Sequence, residues 1–347
     1  MKILTVAKYI DQPAVLSKLH SNMPQVLTGT GTLVWGYETF HKQKNNDKTP
    51  KATRAFKNAL TIAGAAGASY IGARGLKIKG KQIFEGLLEY TPIKQVLKKQ
   101  AEKIDEVLSK NILKDEILAK TLKNAKNRIF TLKDIEIINE RMPKGKEAQK
   151  FLHSILPEPE NLGSKEIFSE IKRLSLVGLI PVVGGVAGGI TADALTGTGS
   201  KKSLANKVKE GVYQYLANIF LCNVGAGSAL YISEKLASKK IIKPLTPMKK
   251  LGVIMAGITA TGIVGGSYIA NYISKTCIDP LFGKKHHKNE TLYSERKPEP
   301  LDIALHADDI ATAGVLSGFK WIEPALPIMY FVSGYRAGIG YRNNKQS

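Results

Sequence analysis

Lys320 and Glu323 are the residues of this chain whose type and spacing most invite a chemical reading. They lie in Gly318-Phe-Lys-Trp-Ile-Glu-Pro-Ala-Leu-Pro327, inside the apolar stretch Ile310–Tyr335. A charge at the centre of a bilayer costs about 2.5–3.5 kcal/mol on insertion scales, so an unpaired one is disfavoured there. Three residues apart, the two could pair on one helical face. Pro324 disfavours helical geometry at Glu323, which predicts a break in the helix. Two readings follow. In one, a broken helix with a paired charge lines a substrate or ion path, as in transporters built from discontinuous helices. In the other, residues 318–327 are a polar connector at the membrane surface between short helices Asp308–Gly318 and Pro327–Gly340. The connector is the simpler reading.

Other reactive side chains carry less. His286 and His287 are adjacent and so face different directions on a helix, and neither repeats at metal-ligand spacing with Cys277. The two cysteines, Cys222 and Cys277, give no disulfide framework and read as reduced thiols. Gly197-Thr-Gly199 before Lys201-Lys-Ser203 lacks the Walker spacing. No serine, cysteine or carboxylate constellation supports catalysis, so no enzymatic activity, cofactor or metal is expected. Asn218, Asn223 and Asn271 lie in apolar surroundings, where hydrogen bonding between helices is their expected use. Pro181 predicts a kink in the helix that holds it.

The glycines form the clearest pattern. Gly184 and Gly188, Gly185 and Gly189, Gly262 and Gly266, and Gly334 and Gly338 are each four apart. That spacing stacks small residues on one helix face. In lipid no hydrophobic effect drives helices together, so close backbone approach must do it. Glycine otherwise costs a helix about 1 kcal/mol relative to Ala, so the pattern predicts intimate helix packing, within the chain or between copies in a homo-oligomer.

These residues sit on four Gly/Ala-rich apolar stretches: Leu174–Ala192, Gly211–Ser233, Leu251–Ser274 and Ile310–Tyr335. The first three contain no Asp, Glu, Lys or Arg, and each is about long enough to cross a hydrocarbon core of roughly 30 Å. Apolar helices are therefore expected near 174–195, 211–233, 251–274 and 310–335. Ala59–Ala73 has the same character but is short for a span, and Lys57 and Arg74 could snorkel from its ends. Residues 80–173 are charged with both signs. Ile93, Leu97, Ile104, Leu108, Ile112 and Ile117 recur at helical intervals there. Thr131-Leu-Lys-Asp134 resembles a capping box, Met142-Pro143 closes that helix, and Ser164 is a plausible start for the next. Val26–Tyr37, with Trp35 and Tyr37, reads as a strand, a bent amphipathic segment or an interfacial anchor.

The expected fold class is thus all-α: a membrane-associated bundle of Gly/Ala-rich helices preceded by a charged amphipathic helical region. The organisation predicted is a mixed N-terminal segment 1–57, a short apolar helix 58–79, a charged helical region 80–173, a glycine-rich bundle 174–340 and a polar tail 341–347.

The chain of 347 residues carries a formal charge of +22, mostly from lysine. Lysine beside apolar segments favours a lipid bilayer with anionic headgroups as partner, at about 1 kcal/mol per residue near the surface. Sparse arginine and the absence of any recognised motif argue against nucleic acid. A multi-pass protein should show Lys and Arg on alternate loops. Here 196–210 holds four lysines, 234–250 six, 275–309 six Lys/Arg, and the residues after Tyr335 three. Every connection is basic, so the alternation is poor and counts against a conventional inner-membrane protein. The orientation that conflicts least keeps 1–173 and the C-terminus cytoplasmic, with an even number of spans and 275–309 outside. A mean hydropathy of −0.11 leaves a further reading in which the helices insert only on meeting a membrane. Three function classes result: a structural or assembly protein of the membrane, a transporter or channel using Lys320 and Glu323, and a conditionally inserting membrane-active protein.

Overall fold

The computed structural model describes residues 3–40, 49–88, 91–143, 145–156, 164–283, 296 and 320–341. The order is α1 (Ile3–Ile10), α2 (Pro13–Ser21), α3 (Met23–Phe40), α4 (Lys51–Arg74), β1 (Gly75–Ile78), β2 (Lys81–Glu85), α5 (Ile93–Ser109), α6 (Glu116–Ala125), α7 (Leu132–Glu140), α8 (Lys146–Ile155) and α9 (Ser164–Leu195). There follow α10 (Lys201–Tyr215), α11 (Leu221–Ser238), α12 (Pro247–Ile258), α13 (Ser267–Ile273), α14 (Asp279–Leu281) and α15 (Leu326–Ile339). The class is all-α, with one small hairpin. The chain forms two units by contact: residues 1–23, 88–161 and 318–324, and residues 24–87, 162–317 and 325–347.

The smaller unit is built on ordinary amphipathic helices. Ile104, Leu118, Leu122, Phe130, Ile135, Ile138 and Leu152 are buried in one apolar cluster. The series from Ile93 to Ile117, which reads as one helix, is divided. α5 ends at Ser109, and Asn111 takes a left-handed φ of 50° before α6 opens on an Asp115 cap. The Thr131/Asp134 capping box forms in both directions: Thr131 Oγ1 accepts from the Asp134 N–H, and Asp134 accepts from the Thr131 N–H at 2.7 Å. Gln12 ties the N-terminal helices in, donating to the Phe130 carbonyl at 3.0 Å and accepting from the Phe130 N–H at 2.8 Å.

The larger unit settles one open reading against a strand and departs from the sequence reading in three places. Val26–Tyr37 is helical, within α3, and the Trp35 indole donates to the Ala55 carbonyl at 2.9 Å. The apolar helix expected at 58–79 instead runs Lys51–Arg74. After it, residues 75–85 pair as an antiparallel hairpin rather than opening the charged helical region, with Gly75 opposite Glu85. Lys79 and Gly80 both have positive φ, the conformation a two-residue hairpin turn needs.

The third departure matters most. Lys201–Glu210, which reads as a short basic loop, is the first part of a helix. α10, a π-helical turn at Leu216–Phe220 and α11 run without a break from Lys201 to Ser238. The next rod is similar: α12, a π segment at Thr259–Gly266, α13 and a second π turn at Ser274–Ile278 lead into α14. Among the described residues, three helical runs are long and apolar enough to cross a membrane: Glu166–Leu195, Lys201–Ser238 and Gly252–Leu281. α15 is preceded by a 3-10 turn, Lys320–Ala325, where the break at Pro324 was expected. The apolar helix read near 310–335 is described only from 320 onward.

Candidate functional site

Glycine sets how the larger unit packs. α9 carries two glycine seams side by side, and each meets a different helix. A Cβ on Gly184 would strike the Gly64 carbonyl and Ala68 of α4, and one on Gly188 would sit 3.2 Å from the Thr61 Cα. One position round the helix, Gly185 abuts the Gly334 carbonyl of α15, and Gly189 abuts that of Gly338. Gly334 in turn faces the Pro181 carbonyl, so the proline lies inside a continuous helix against a neighbour's backbone. Gly262 meets Cys222, and Gly266 would place a Cβ 2.7 Å from the Ala217 Cα. The contact sequence makes α4 antiparallel to α9: Leu60 lies at Gly188, Gly64 at Gly184, Gly72 at Val177.

Inside this glycine-packed frame are charges. Lys207, Lys209, Glu210, Gln214 and Asn218, all on the α10 rod, are each at most 4% exposed. Glu210 is fully buried and accepts from Arg296 Nε at 2.9 Å and Gln214 Nε2 at 2.8 Å. Gln214 Oε1 accepts from Asn218 Nδ2 at 2.9 Å, which extends a polar ladder one turn at a time along the helix. The Arg296 guanidinium lies 4.0 Å from the Tyr213 ring centroid, a cation–π arrangement. The Tyr213 hydroxyl shares a 2.9 Å hydrogen bond with Ser267, and Asn271 Nδ2 donates to the Arg296 carbonyl at 2.9 Å. Lys209 pairs with Asp279 of α14, both buried.

A second cluster closes one end of the bundle. Asp193, in the last turn of α9, accepts from Lys57 of α4 at 2.6 Å, Lys207 at 2.5 Å and the Ser203 hydroxyl at 2.5 Å. Lys57 also donates to Thr198 Oγ1 at 2.9 Å. Lys57 therefore reaches from its helix not to solvent alone but to a buried carboxylate. Arg74, at the other end of α4, donates to the Tyr70 hydroxyl at 3.0 Å.

The chemistry of the ladder is that of satisfied pairs. Burying an ion costs several kcal/mol, and only good geometry with further hydrogen bonds recovers it. Glu210 has both, and Lys209 and Lys207 each have a carboxylate. The ladder therefore holds three segments in register: α10, the rod that begins at α12, and the backbone at Arg296.

The sequence-derived residues separate. The eight glycines at four-residue spacing come together as helix contacts in the larger unit. Glu323 is buried and belongs to the smaller unit, on the 3-10 turn; the side chain of Lys320 lies outside the described residues. His286 and His287 also lie outside them. Of the asparagines, Asn223 bridges helices by donating to Ser175 of α9 at 3.3 Å, whereas Asn218 bonds within its own helix. Cys222 is buried and Cys277 exposed, and neither is in a disulfide. Among the described residues no three His, Cys, Asp or Glu side chains gather where a metal could bind.

Sequence reading missed Asp193, Lys207, Lys209, Glu210 and Arg296. The available signal was a single acidic residue, Glu210, at the end of a lysine run that leads directly into an uncharged apolar stretch.

No protein-family model, curated protein or solved structure matches this chain.

Proposed function

We propose that this chain is a multi-pass integral membrane protein with a structural or assembly role and no enzymatic activity. The observation that supports it is the combination, in the larger unit, of outward apolar residues with fully buried, paired charges. Leu176, Val183 and Ile190, seven apart on α9, face outward, as do Ile232, Tyr268, Ile269 and Tyr272. Lys209, Glu210, Asn271, Asp279 and Arg296 face inward. In water, charged residues are almost never fully buried without need, and outward apolar rows invite association. In lipid the same arrangement is the stable one: the outward rows meet acyl chains, and the charges pair inside. Because α4 and α15 lie along the apolar part of α9 at the glycine seams, they share its solvent. On this reading the smaller unit is the water-facing part, on the cytoplasmic side.

The role is structural because the buried charges are spent on one another and on hydrogen bonds between helices. The test is fractionation. Membranes washed with alkaline carbonate should retain the protein, and detergent should release it. Release by carbonate alone would overturn the integral reading and leave conditional insertion, which leakage of dye from anionic vesicles would then detect.

A transport reading has its own signature. Lys320→Ala and Glu323→Ala, made separately, would each impair a transporter while leaving assembly of a scaffold nearly intact.

A further inference from the structure

Three lysines and two isoleucines crowd the tip of the hairpin that follows α4. Residues 77–83 read Lys77-Ile-Lys-Gly-Lys-Gln-Ile83 and are all exposed, Ile78 at 51% and Ile83 at 54%. Lys77 stands opposite Gln82 and Ile78 opposite Lys81, so charge and apolar surface alternate along the ribbon. The apolar pair nearer the root, Leu76 and Phe84, is half-buried instead. The hairpin's single acidic residue, Glu85, lies at that root, opposite Gly75.

The root is fixed to the larger unit. A Cβ on Gly75 would strike the Gly86 nitrogen, and one on Gly86 the Ala73 carbonyl, so the strands fold directly off the end of α4. Arg173 donates to the Gly86 carbonyl at 3.3 Å. Gly72, in the last turn of α4, packs on Val177 of α9. The root therefore stands beside the point on α9 where Arg173 gives way to Leu174, the first residue of its apolar stretch. On the membrane reading that level is the edge of the hydrocarbon. Strands of four and five residues reach about 15 Å from it.

The composition of the tip selects the partner. A two-stranded hairpin is marginal in water, and outward isoleucines do nothing for it there. Lysines keep an exposed strand edge from pairing with other chains, but that use needs no isoleucine. A single-stranded nucleic acid would be met by aromatic stacking as well as lysine, and residues 77–83 hold no aromatic. Isoleucine beside lysine suits the boundary of an anionic bilayer. The branched chains enter between the headgroups, the lysine stems follow them, and the ammonium groups stay with the lipid anions.

We infer that the hairpin at 75–85 is a foot that docks on an anionic membrane surface, with Ile78 and Ile83 among the headgroups and Lys77, Lys79 and Lys81 on the lipid anions. The hairpin's depth rests on the membrane reading, and the test reports on the two separately.

The experiment uses the full chain carrying Cys222→Ser and Cys277→Ser, with one bimane-labelled cysteine introduced by Ile83→Cys or by Val183→Cys. Each is reconstituted into vesicles of phosphatidylcholine alone and of phosphatidylcholine mixed with phosphatidylserine. Nitroxide lipids, spin-labelled at the headgroup or deep in the acyl chain, quench the fluorescence. The label at 183 should be quenched by the deep nitroxide in both membranes. The label at 83 should be quenched by the headgroup nitroxide, and more strongly with phosphatidylserine present. Lys77→Gln, Lys79→Asn and Lys81→Gln together should abolish that increment, since each lysine at an anionic surface contributes about fivefold to the docking equilibrium. Asparagine tolerates the positive φ at position 79, so the turn is kept, and unchanged quenching at 183 verifies the fold. Quenching at 183 with none at 83 would overturn docking alone. Absence of quenching at both would overturn the membrane reading and docking with it. Equal quenching at 83 in the two membranes, or an increment that survives the triple substitution, would overturn the selection of anionic lipid. Shielding of the label at 83 from aqueous iodide only on addition of RNA or polyglutamate would assign the lysines to a polyanion and overturn the lipid proposal.

Discussion

Both units have buried apolar residues, and they differ in what lies inside and outside beside them. In the unit around residues 88–161, Ile104, Leu122 and Ile138 are inside, while Lys98 and Glu102 keep more than half of their side chains in solvent. In the larger unit, Glu210 and Arg296 are inside and Val183, Tyr268 and Tyr272 outside. The rods of the larger unit are also less regular, with π segments at Leu216–Phe220, Thr259–Gly266 and Ser274–Ile278. On the membrane reading, the solvent each unit meets accounts for the contrast. A water-facing helix gains about 25 cal/mol for each Å² of apolar surface it hides, and its charges are content at the surface. A lipid-facing helix gains nothing by hiding leucine, and packs through what glycine allows and what buried polar groups demand.

That contrast can be broken in several ways. The largest effect is expected from separating a buried pair. Glu210→Ala removes the carboxylate that Arg296 and Gln214 both meet and should cost about 3–5 kcal/mol, read as a lower midpoint of unfolding in mixed micelles. Val183→Lys comes next. On a lipid-facing surface it should oppose insertion by about 2.5–3.5 kcal/mol, seen as a loss of carbonate-resistant protein. On a water-facing surface it would be worth no more than about 0.5 kcal/mol, and that result would erase the difference between the units. Gly185→Ala should loosen α9 from α15, because the added methyl meets the Gly334 carbonyl. A loss of about 1–3 kcal/mol is expected from overpacking, whereas Gly67→Ala, with open space around it, should be neutral or slightly stabilising.

The smallest effect belongs to the smaller unit. Burial pushes the Asp134 carboxyl up. Hydrogen bonds from the Arg128 guanidinium at 2.7 Å and from Thr131 outweigh it and hold the group below the ordinary carboxylate range. A lowered folded value stabilises the fold above the unfolded value, and the contribution disappears as pH falls through the folded one. Urea unfolding followed at pH 7 and again in the acid range should show this loss in wild type. Asp134→Asn should flatten it and cost about 1 kcal/mol at neutral pH, the worth of a cap.

How much of this was legible in the sequence follows the same division. The glycine seams were readable because a four-residue spacing is local, and at Gly185 and Gly189 the partner repeats it with Gly334 and Gly338. The capping box was readable for the same reason, as four consecutive residues. Lys201–Glu210 was misread because a run of lysines with Gly and Ser before it is also what a solvated loop looks like. What turns it into buried helix is Asp193, Asp279 and Arg296, and nothing local ties those positions together. The hairpin at 75–85 was hidden by its own brevity: Lys79-Gly80 is a turn signal, but two strands of four and five residues give little alternation to read. The Lys320/Glu323 pairing stood out as a broken apolar pattern, yet Glu323 is buried in the unit that does not carry the ladder.

The Glu210–Arg296 pair also imposes a timetable. Arg296 lies 86 residues after Glu210 in the chain. At roughly 5–20 residues per second, a ribosome supplies it some 4–17 s later. Throughout that interval the Lys201–Ser238 rod exists without its counter-charge. On the membrane reading, a nascent chain truncated before residue 296 should therefore linger with whatever machinery shelters polar helices from lipid, and the full chain should leave it.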